Sequence, residues 1–301
     1  MHIVRYIVRD DGHEKVGVLD GDRVIELGET SIARLLRLPV AMFRNLCEQA
    51  NGRKYHKSEI RLLPPVDRFT EVWAAGVTYR KSQQERMLES HQSASVYDLV
   101  YDAQRPELFL KAVAWRVVGD GEPIAIRSDS EIDVPEPELA LIINTFGEVV
   151  GYSVCDDVSS RSIEAENPLY LPQAKIYLGS CALGFGIRPV WEVPDPLALE
   201  IRLCIIRNSR VAWEGQANTR QLHRNFDDLI GFLMRDNGFP DGVVLSTGTG
   251  IVPPLPFSLQ PGDIVEIEIE EVGTLTNPVV RGREGVEWIV GAMKDGRNSD
   301  E

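Results

Sequence analysis

Short stretches in which apolar and polar residues alternate are the commonest pattern along this chain, and alternation with a period of two predicts β-strands. Residues 263–273 are a clear case: Val265, Ile267 and Ile269 should face the core, and the glutamates between them should face solvent. Strands and helices do not alternate regularly, which argues against a Rossmann or TIM fold. We therefore predict an α+β fold that is mostly β.

Helical periodicity is confined to a few segments. Residues 225–236 form the best amphipathic helix of the chain, with five apolar residues on one face. Ser31 has the position and chemistry of an N-cap for a short helix, and a second helix is predicted over residues 40–50. The helices are thus few and lie between groups of strands.

Two consecutive prolines, Pro64 and Pro65, divide the chain. Their fixed backbone angles enforce an extended connection. We predict a small N-terminal α+β module over residues 1–65 and a catalytic domain over residues 66–301.

Three acidic residues, Glu136, Glu138 and Asp157, stand out within residues 134–184. Glutamates two apart on a strand point to the same side, and a hairpin built from residues 138–143 and 148–155 would return Asp157 to their level. Three carboxylates without a nearby His or Cys suit Mg²⁺ or Mn²⁺ better than zinc. The spacing by itself favours the alternative of ordinary surface acids on a solvated strand edge.

A series of short motifs along residues 66–292 resolves that ambiguity. They are A-G-V-T-Y at 75–79, P-E-L-F-L-K at 106–111, E-P-E at 136–138, G-Y-S-V-C-D-D-V-S-S-R at 151–161, A-K-I-Y-L-G-S-C-A-L-G at 174–184 and S-T-G-T-G at 246–250. In order and spacing they resemble the fumarylacetoacetate hydrolase family. The resemblance implies a mixed β-roll folded around a metal site, a 2-oxo acid as substrate, Mg²⁺ (or Mn²⁺ or Ca²⁺) on the three acids, and a homodimer or homotetramer.

Lys175, in the fifth motif, is the first catalytic candidate. A lysine that reaches the 2-oxo group would stabilise enolate charge or, if desolvated, move a proton. Without the surrounding motif it would pass for an exposed surface lysine.

Other residues of the motifs are candidates for holding the substrate. Gly76 belongs to the first motif, and Arg161 would either hold an anionic group or brace the ligand loop, of which we favour the brace. Thr247 and Thr249 flank a glycine in a loop that could offer N–H groups and hydroxyls to a carboxylate, although a plain glycine turn explains it nearly as well.

One position departs from the hydrolytic members of the family. Ser82 stands where their lid carries a histidine, while the partner glutamate is retained as Glu85. A serine cannot by itself take a proton from water at neutral pH, so the family's hydrolytic base is missing. His91 and His223 are stray candidates to replace it, but we expect all five histidines to be surface residues.

Ser82 and Glu107 together make the chain resemble the sugar-acid dehydratase branch of the family. This resemblance implies Mg²⁺-dependent dehydration of a 2-keto-3-deoxy pentonate to 2,5-dioxopentanoate, with Lys175, Glu107 and Glu85 as catalytic residues and Ser82 at the substrate. The alternatives are a C–C hydrolase of acylpyruvate or fumarylacetoacetate type and an oxaloacetate-type decarboxylase.

Residues 79–105 are predicted to form a lid over the site. Their first half favours a helix but contains almost no apolar residues, so it would bury little surface. A surface helix stabilised by Glu–Arg pairs is the alternative.

Composition and charge limit the partners and the cellular compartment that are expected for the protein. A net charge of −14 argues against nucleic-acid and membrane-surface partners, which favour basic patches. Arg5 and Arg9 interrupt the first apolar run, so no signal peptide is expected. The four cysteines are widely spaced, as in reduced cytoplasmic proteins. We predict a cytoplasmic enzyme.

Overall fold

The computed structural model describes residues 1–9, 12–82 and 99–291, and in these ranges strands far outweigh helices, which confirms the predicted fold class. Its strands are β1 His2–Val8, β2 Glu14–Asp20, β3 Arg23–Glu26, β4 Lys54–His56, β5 Ile60–Leu63, β6 Glu71–Gly76, β7 Glu107–Val113, β8 Ile124–Ile126, β9 Asp133–Val134, β10 Pro137–Ile143, β11 Val149–Asp157, β12 Ser159–Ser160, β13 Cys181–Leu183, β14 Arg188–Pro189, β15 Glu200–Arg207, β16 Arg210–Asn218, β17 Val243–Ser246, β18 Ile264–Ile269 and β19 Gly273–Arg281. Its longer helices are α1 Ile32–Leu35, α2 Val40–Glu48, α3 Arg161–Glu166, α4 Leu171–Lys175 and α5 Phe226–Met234. Within the same ranges, no helix has the length and apolar character needed to cross a bilayer.

The N-terminal sheet is antiparallel, with strand order β4-β3-β2-β1-β5. Between β3 and β4 the chain forms α1 and α2. Ser31 caps α1 as predicted, because its hydroxyl accepts the Arg34 N–H. Asp67, which follows the proline link, accepts the N–H groups of Ile32 and Ala33 at 2.9 Å each. The start of α1 is therefore bound to the chain beyond the predicted boundary.

The central sheet has strand order β13-β11-β10-β17-β6-β7, with β14 paired to β11. Only β17 and β6 are parallel among the described pairs of this sheet, and the others are antiparallel. In the middle, β10 lies between β11 and β17. Side chains from the ends of these strands can therefore meet at one point.

The third sheet has strand order β16-β15-β18-β19-β8. In β18 the residues Val265, Ile267 and Ile269 are buried and the glutamates between them are exposed, as the alternation predicted. The amphipathic helix is α5, which buries Leu229 and Leu233.

Both faces of the central sheet are covered. Leu139 and Leu141 of β10 belong to a core shared with the third sheet, whereas Ala140 and Ile142 belong to a core shared with α1 and α2. Because α2 inserts Phe43 into the latter core, the N-terminal helices pack directly on the central sheet. The division after residue 65 stays a prediction.

Replacing Phe43 by Ala tests how strongly the two parts depend on each other. Phe43 is fully buried and packs edge-to-face on Trp191 at 6.1 Å. We expect a loss of about 3–5 kcal/mol in the free energy of unfolding, within a single urea transition for the whole chain. Met42→Ala on the same helix is the control, since Met42 is 58% exposed and should cost less than about 0.5 kcal/mol. A separate early transition of residues 1–65 would contradict the shared core.

Candidate metal centre and active site

The hairpin of β10 and β11 brings the three predicted acids together. Pro137 pairs with Asp156 across the two strands, and the Asp157 N–H donates to the Glu136 carbonyl at 3.0 Å. Glu136, Glu138 and Asp157 are each at most 2% exposed, and one carboxylate oxygen of each lies within 4.8 Å of the others. Such burial excludes the alternative of acids on a solvated strand edge.

Lys175 neutralises part of this charge. Its ammonium lies 2.6 Å from Oε2 of Glu136 and 3.0 Å from Oδ2 of Asp157, and it also donates to the Ser159 hydroxyl. The residue ends α4 and is 1% exposed, so it is not a surface lysine.

Arg161 contacts the other oxygen of Glu136. Its Nη1 donates to Oε1 at 3.0 Å, and the side chain is buried at the start of α3. The guanidinium therefore braces a predicted metal ligand, which is the arrangement that we favoured from the sequence.

Lys111 was not singled out from the sequence, although it ends the second motif. This residue of β7 is fully buried and forms an ion pair with Oδ1 of Asp157. Its ammonium also donates to the carbonyls of Val158 at 2.9 Å and Lys175 at 2.7 Å. The signals in the sequence were its place at the end of the second motif and the apolar residues on either side of it, and nothing local indicated its partner.

Glu138 differs from the other two acids because its carboxylate accepts a backbone N–H, that of Gly248, at 2.8 Å. Burial, and after it the negative charges of Asp157 and Glu136, raise the pKa of Glu138 to about 8. The charged form of Glu138 is therefore disfavoured, and a divalent cation beside it would stabilise that form.

A small pocket opens over the carboxylates. It is lined by Ala75, Gly76, Val77, Ser82, Phe109, Glu136, Glu138, Asp157, Lys175, Gly248 and Thr249. Ser82 is 3% exposed and donates to the Tyr79 carbonyl at 2.8 Å. Among the residues described, no histidine lines the pocket.

Glu107 lies next to the pocket-lining Gly76 but is not itself one of the lining residues. It pairs with Gly76 across β6 and β7, and its carboxylate lies so close to Gly76 that a Cβ there would collide with Oε2. A carboxyl group is thus held against the pocket wall, and only glycine leaves room for it.

The two threonines of the last motif, Thr247 and Thr249, differ in their contacts and in whether they line the pocket. The Thr247 hydroxyl donates to the Leu139 carbonyl at 2.8 Å, and Thr247 does not line the pocket. Thr249 does line it, but its hydroxyl donates to the Ile251 carbonyl at 3.1 Å. Both hydroxyls therefore support the loop that presents the Gly248 N–H.

The predicted lid lies partly outside the described residues, as do Glu85 and His91. Residues 80–82 and 99–102 are helical. His223 does not line the pocket: its ring stacks on Tyr101 at 4.2 Å, and its backbone N–H donates to the Thr78 carbonyl. The lid itself stays a prediction.

Backbone strain marks the first motif as well. Val77, a β-branched residue that lines the pocket, has a φ of 53°, where such side chains are rarely found. Strain of this kind concentrates at functional sites. The sequence held no signal for it.

Comparison with known proteins supports the resemblance seen in the motifs. A family model described as fumarylacetoacetate (FAA) hydrolase C-terminal matches residues 71–280. The chain is 42% identical over 287 residues to a 2-dehydro-3-deoxy-D-arabinonate dehydratase of Saccharolobus solfataricus, covering 92% of this chain and 96% of the relative. It is 49% identical over 257 residues to a probable 2-keto-3-deoxyxylonate dehydratase of Haloferax volcanii, covering 85% and 86%. A solved structure of 2-keto-3-deoxy-D-arabinonate dehydratase complexed with magnesium and 2,5-dioxopentanoate matches with a TM-score of 0.81 and 40% identity, covering 93% of this chain and 99% of that one.

Gly248→Ala tests whether the loop at Glu138 requires glycine. Gly248 has a φ of 91°, and a Cβ there would collide with the Thr78 hydroxyl. Because the two effects add, we expect the free energy of unfolding to fall by about 2 kcal/mol or more. Gly231→Ala in α5 is the control, since a Cβ there meets nothing within 4 Å and should stabilise the helix by about 0.5–1 kcal/mol. Equal urea midpoints for Gly248→Ala and the unmodified protein would contradict the argument.

Proposed function

The chain belongs to the fumarylacetoacetate hydrolase family, and we propose that it is a Mg²⁺-dependent lyase acting in sugar-acid catabolism. Its substrate is a 2-keto-3-deoxy pentonate such as 2-dehydro-3-deoxy-D-arabinonate, and its product is 2,5-dioxopentanoate. Two dehydratases of such acids are 42% and 49% identical to the chain over most of its length. The family fold expected from the motifs is confirmed by the likeness to the solved dehydratase.

The carboxylate trio fits a hard divalent cation. Glu136, Glu138 and Asp157 offer only oxygen donors, they lie within 4.8 Å of one another, and burial together with the charges of Asp157 and Glu136 raises the pKa of Glu138. We assign them as ligands of Mg²⁺, with Mn²⁺ or Ca²⁺ as ions of compatible chemistry. A bound Mg²⁺ supplies Lewis acidity that draws charge from the 2-oxo group of the substrate.

Lys175 is assigned to stabilising the negative charge that forms when C3 loses its proton. Its ammonium faces the pocket, and its distances of 2.6 and 3.0 Å to two of the acids place a positive charge beside the proposed metal site. There it stabilises the negative charge that spreads onto the 2-oxo oxygen when a proton leaves C3. The burial of Lys175 strengthens this interaction because water is excluded.

Glu107 is assigned to the departure of the C4 hydroxyl. Its carboxyl group lies against Gly76 beside the pocket. As a carboxylate it would accept the proton that leaves C3, and as the resulting acid it would give that proton to the C4 oxygen, so that the C4–O bond breaks and water departs. A proton then moves from C5 to C3, and the resulting enol ketonises to the C5 aldehyde. Glu85, the third catalytic residue of the proposal, lies outside the described residues.

The remaining site residues are assigned to binding. Gly76, Ser82 and Thr249 line the pocket and would contact the substrate directly. Arg161 and Thr247 are proposed to act indirectly. Arg161 holds Glu136, and Thr247 supports the loop around Gly248.

The single observation that favours dehydration over hydrolysis is the chemistry at Ser82. Cleavage of an acylpyruvate needs an activated water, and Ser82 is engaged with the Tyr79 carbonyl in a pocket to which none of the described histidines contributes. Dehydration needs no such water. A hydrolase or decarboxylase of acylpyruvates or oxaloacetate is the second candidate.

We also propose that the protein is a cytoplasmic homodimer or homotetramer. Its four cysteines are free, which suits a reducing compartment. Light scattering on the eluting protein would establish the oligomeric state, and a monomer would refute that part of the proposal.

Substituting the proposed ligands should abolish metal binding. Glu136→Gln, Glu138→Gln and Asp157→Asn each remove a negative charge and keep the shape of the side chain. We expect Mg²⁺ affinity by calorimetry to fall at least about 10–100-fold in each, with circular dichroism unchanged. Glu131→Gln, an exposed acid nearby, is the control. Normal Mg²⁺ binding by the double glutamate variant would refute the site.

Product analysis decides between the two reactions. We expect dehydration of a 2-keto-3-deoxy pentonate, with solvent deuterium entering C3 and C4 in D₂O, and negligible cleavage of acylpyruvates. General-base catalysis contributes about 10²–10⁴-fold, so the absence of the family's histidine should be easily measured. Lys175→Ala and Glu107→Gln should lower kcat by a similar factor while Mg²⁺ still binds. Efficient acylpyruvate cleavage by the unmodified protein would mean that dehydration is the wrong assignment.

A further inference from the structure

Lys111 is buried behind the carboxylate trio, where it touches no substrate-facing surface. Its side chain is 0% exposed, and it does not line the pocket. An ammonium group in such a place loses its hydration, which is unfavourable unless every N–H finds an acceptor. The Lys111 ammonium donates to the Val158 carbonyl at 2.9 Å and to the Lys175 carbonyl at 2.7 Å, and it forms an ion pair with Oδ1 of Asp157.

Two lysines share the carboxylate of Asp157 in a fixed arrangement. Lys175 contacts Oδ2 at 3.0 Å and lines the pocket, whereas Lys111 contacts Oδ1 from the opposite side. The contact from Lys111 opposes rotation of the carboxylate, because rotation would break an ion pair in a dry environment.

The same ammonium joins two segments that are distant in sequence. Asp157 and Val158 lie at the end of β11, and Lys175 ends α4. A hydrogen bond to the Lys175 carbonyl fixes the end of the helix from which the Lys175 side chain extends into the pocket. Lys111 thus reaches both the proposed metal ligand and the backbone of the proposed catalytic lysine.

We propose that Lys111 is a positioning residue that holds Asp157 in the orientation required to bind Mg²⁺ and holds the end of α4 so that Lys175 reaches the substrate. The inference rests on the proposed function, because Mg²⁺ binding by Asp157 is part of it. Groups behind a metal ligand orient it, and their removal typically weakens metal binding or activity by about 10–100-fold.

Lys111→Met provides the main test, since it retains the length of the side chain and removes the ammonium. We expect the Mg²⁺ Kd from calorimetry to rise about 10–100-fold. At saturating Mg²⁺ we expect kcat to fall by a comparable factor while KM for the keto acid changes little, because Lys111 contacts no substrate. Lys15→Met is the control: Lys15 pairs with Glu26 at 3.3 Å in the N-terminal sheet, and its loss should leave Kd and kcat unchanged.

Lys111→Gln keeps an amide donor for the two carbonyls but cannot form the ion pair, so it carries the test if the methionine variant fails to fold. We expect it to show the same loss of Mg²⁺ affinity with a smaller loss of kcat. A fall in Tm with Kd and kcat both unchanged would mean that Lys111 has only a structural role, and the inference would be overturned.

A double variant identifies the route by which Lys111 acts. If Lys111 acts on the metal through Asp157, adding Lys111→Met to Asp157→Asn should change the Mg²⁺ Kd by less than about twofold. Independent, multiplicative losses would overturn the inference. If the unmodified protein binds no Mg²⁺, the proposed function fails together with this inference, whereas normal binding by both Lys111 variants overturns the inference alone.

Discussion

Three carboxylates are buried side by side at the end of the central hairpin, and their mutual repulsion is the constraint on which the site depends. Like charges at such separations in a dry environment are strongly unfavourable unless opposite charges contact them. Lys175, Lys111 and Arg161 supply those charges, and each approaches from a different element. Glu138 is left with a backbone N–H and a raised pKa, so the trio still favours a further cation.

Coverage of the central sheet on both faces is what keeps this centre dry. One face of β10 packs on the third sheet and the other on α1 and α2, so its seven residues are all buried. The N-terminal segment is therefore part of the core that supports the site, because its helices cover one face of the sheet that carries the site. Asp67 ties the start of α1 to the chain after the proline link, which reinforces that closure.

Features that depend on local chemistry were predictable from the sequence. The cap at Ser31, the alternation in β18 and the amphipathic helix within residues 225–236 each follow from neighbouring residues, and the structure has all three, with the helix over Phe226–Met234. The hairpin that joins Glu138 to Asp157 was also predictable, because a tight turn leaves little choice in how two adjacent strands pair. Metal chemistry followed from the residue types, since three carboxylates without His or Cys favour hard cations.

Contacts between distant segments required the tertiary structure. The antiparallel pairing of β10 with β17 brings the Gly248 N–H to Glu138, and the pairing of β6 with β7 sets Glu107 against Gly76. Nothing within either segment encodes its partner. By itself, the sequence determined the class of the fold, the hairpin, the identity of the acids and the lysine of the A-K motif. Only the tertiary structure decided that Lys111 pairs with Asp157. A buried lysine and a surface lysine have the same chemistry in the sequence, and they differ only once packing excludes water and leaves specific acceptors for the ammonium.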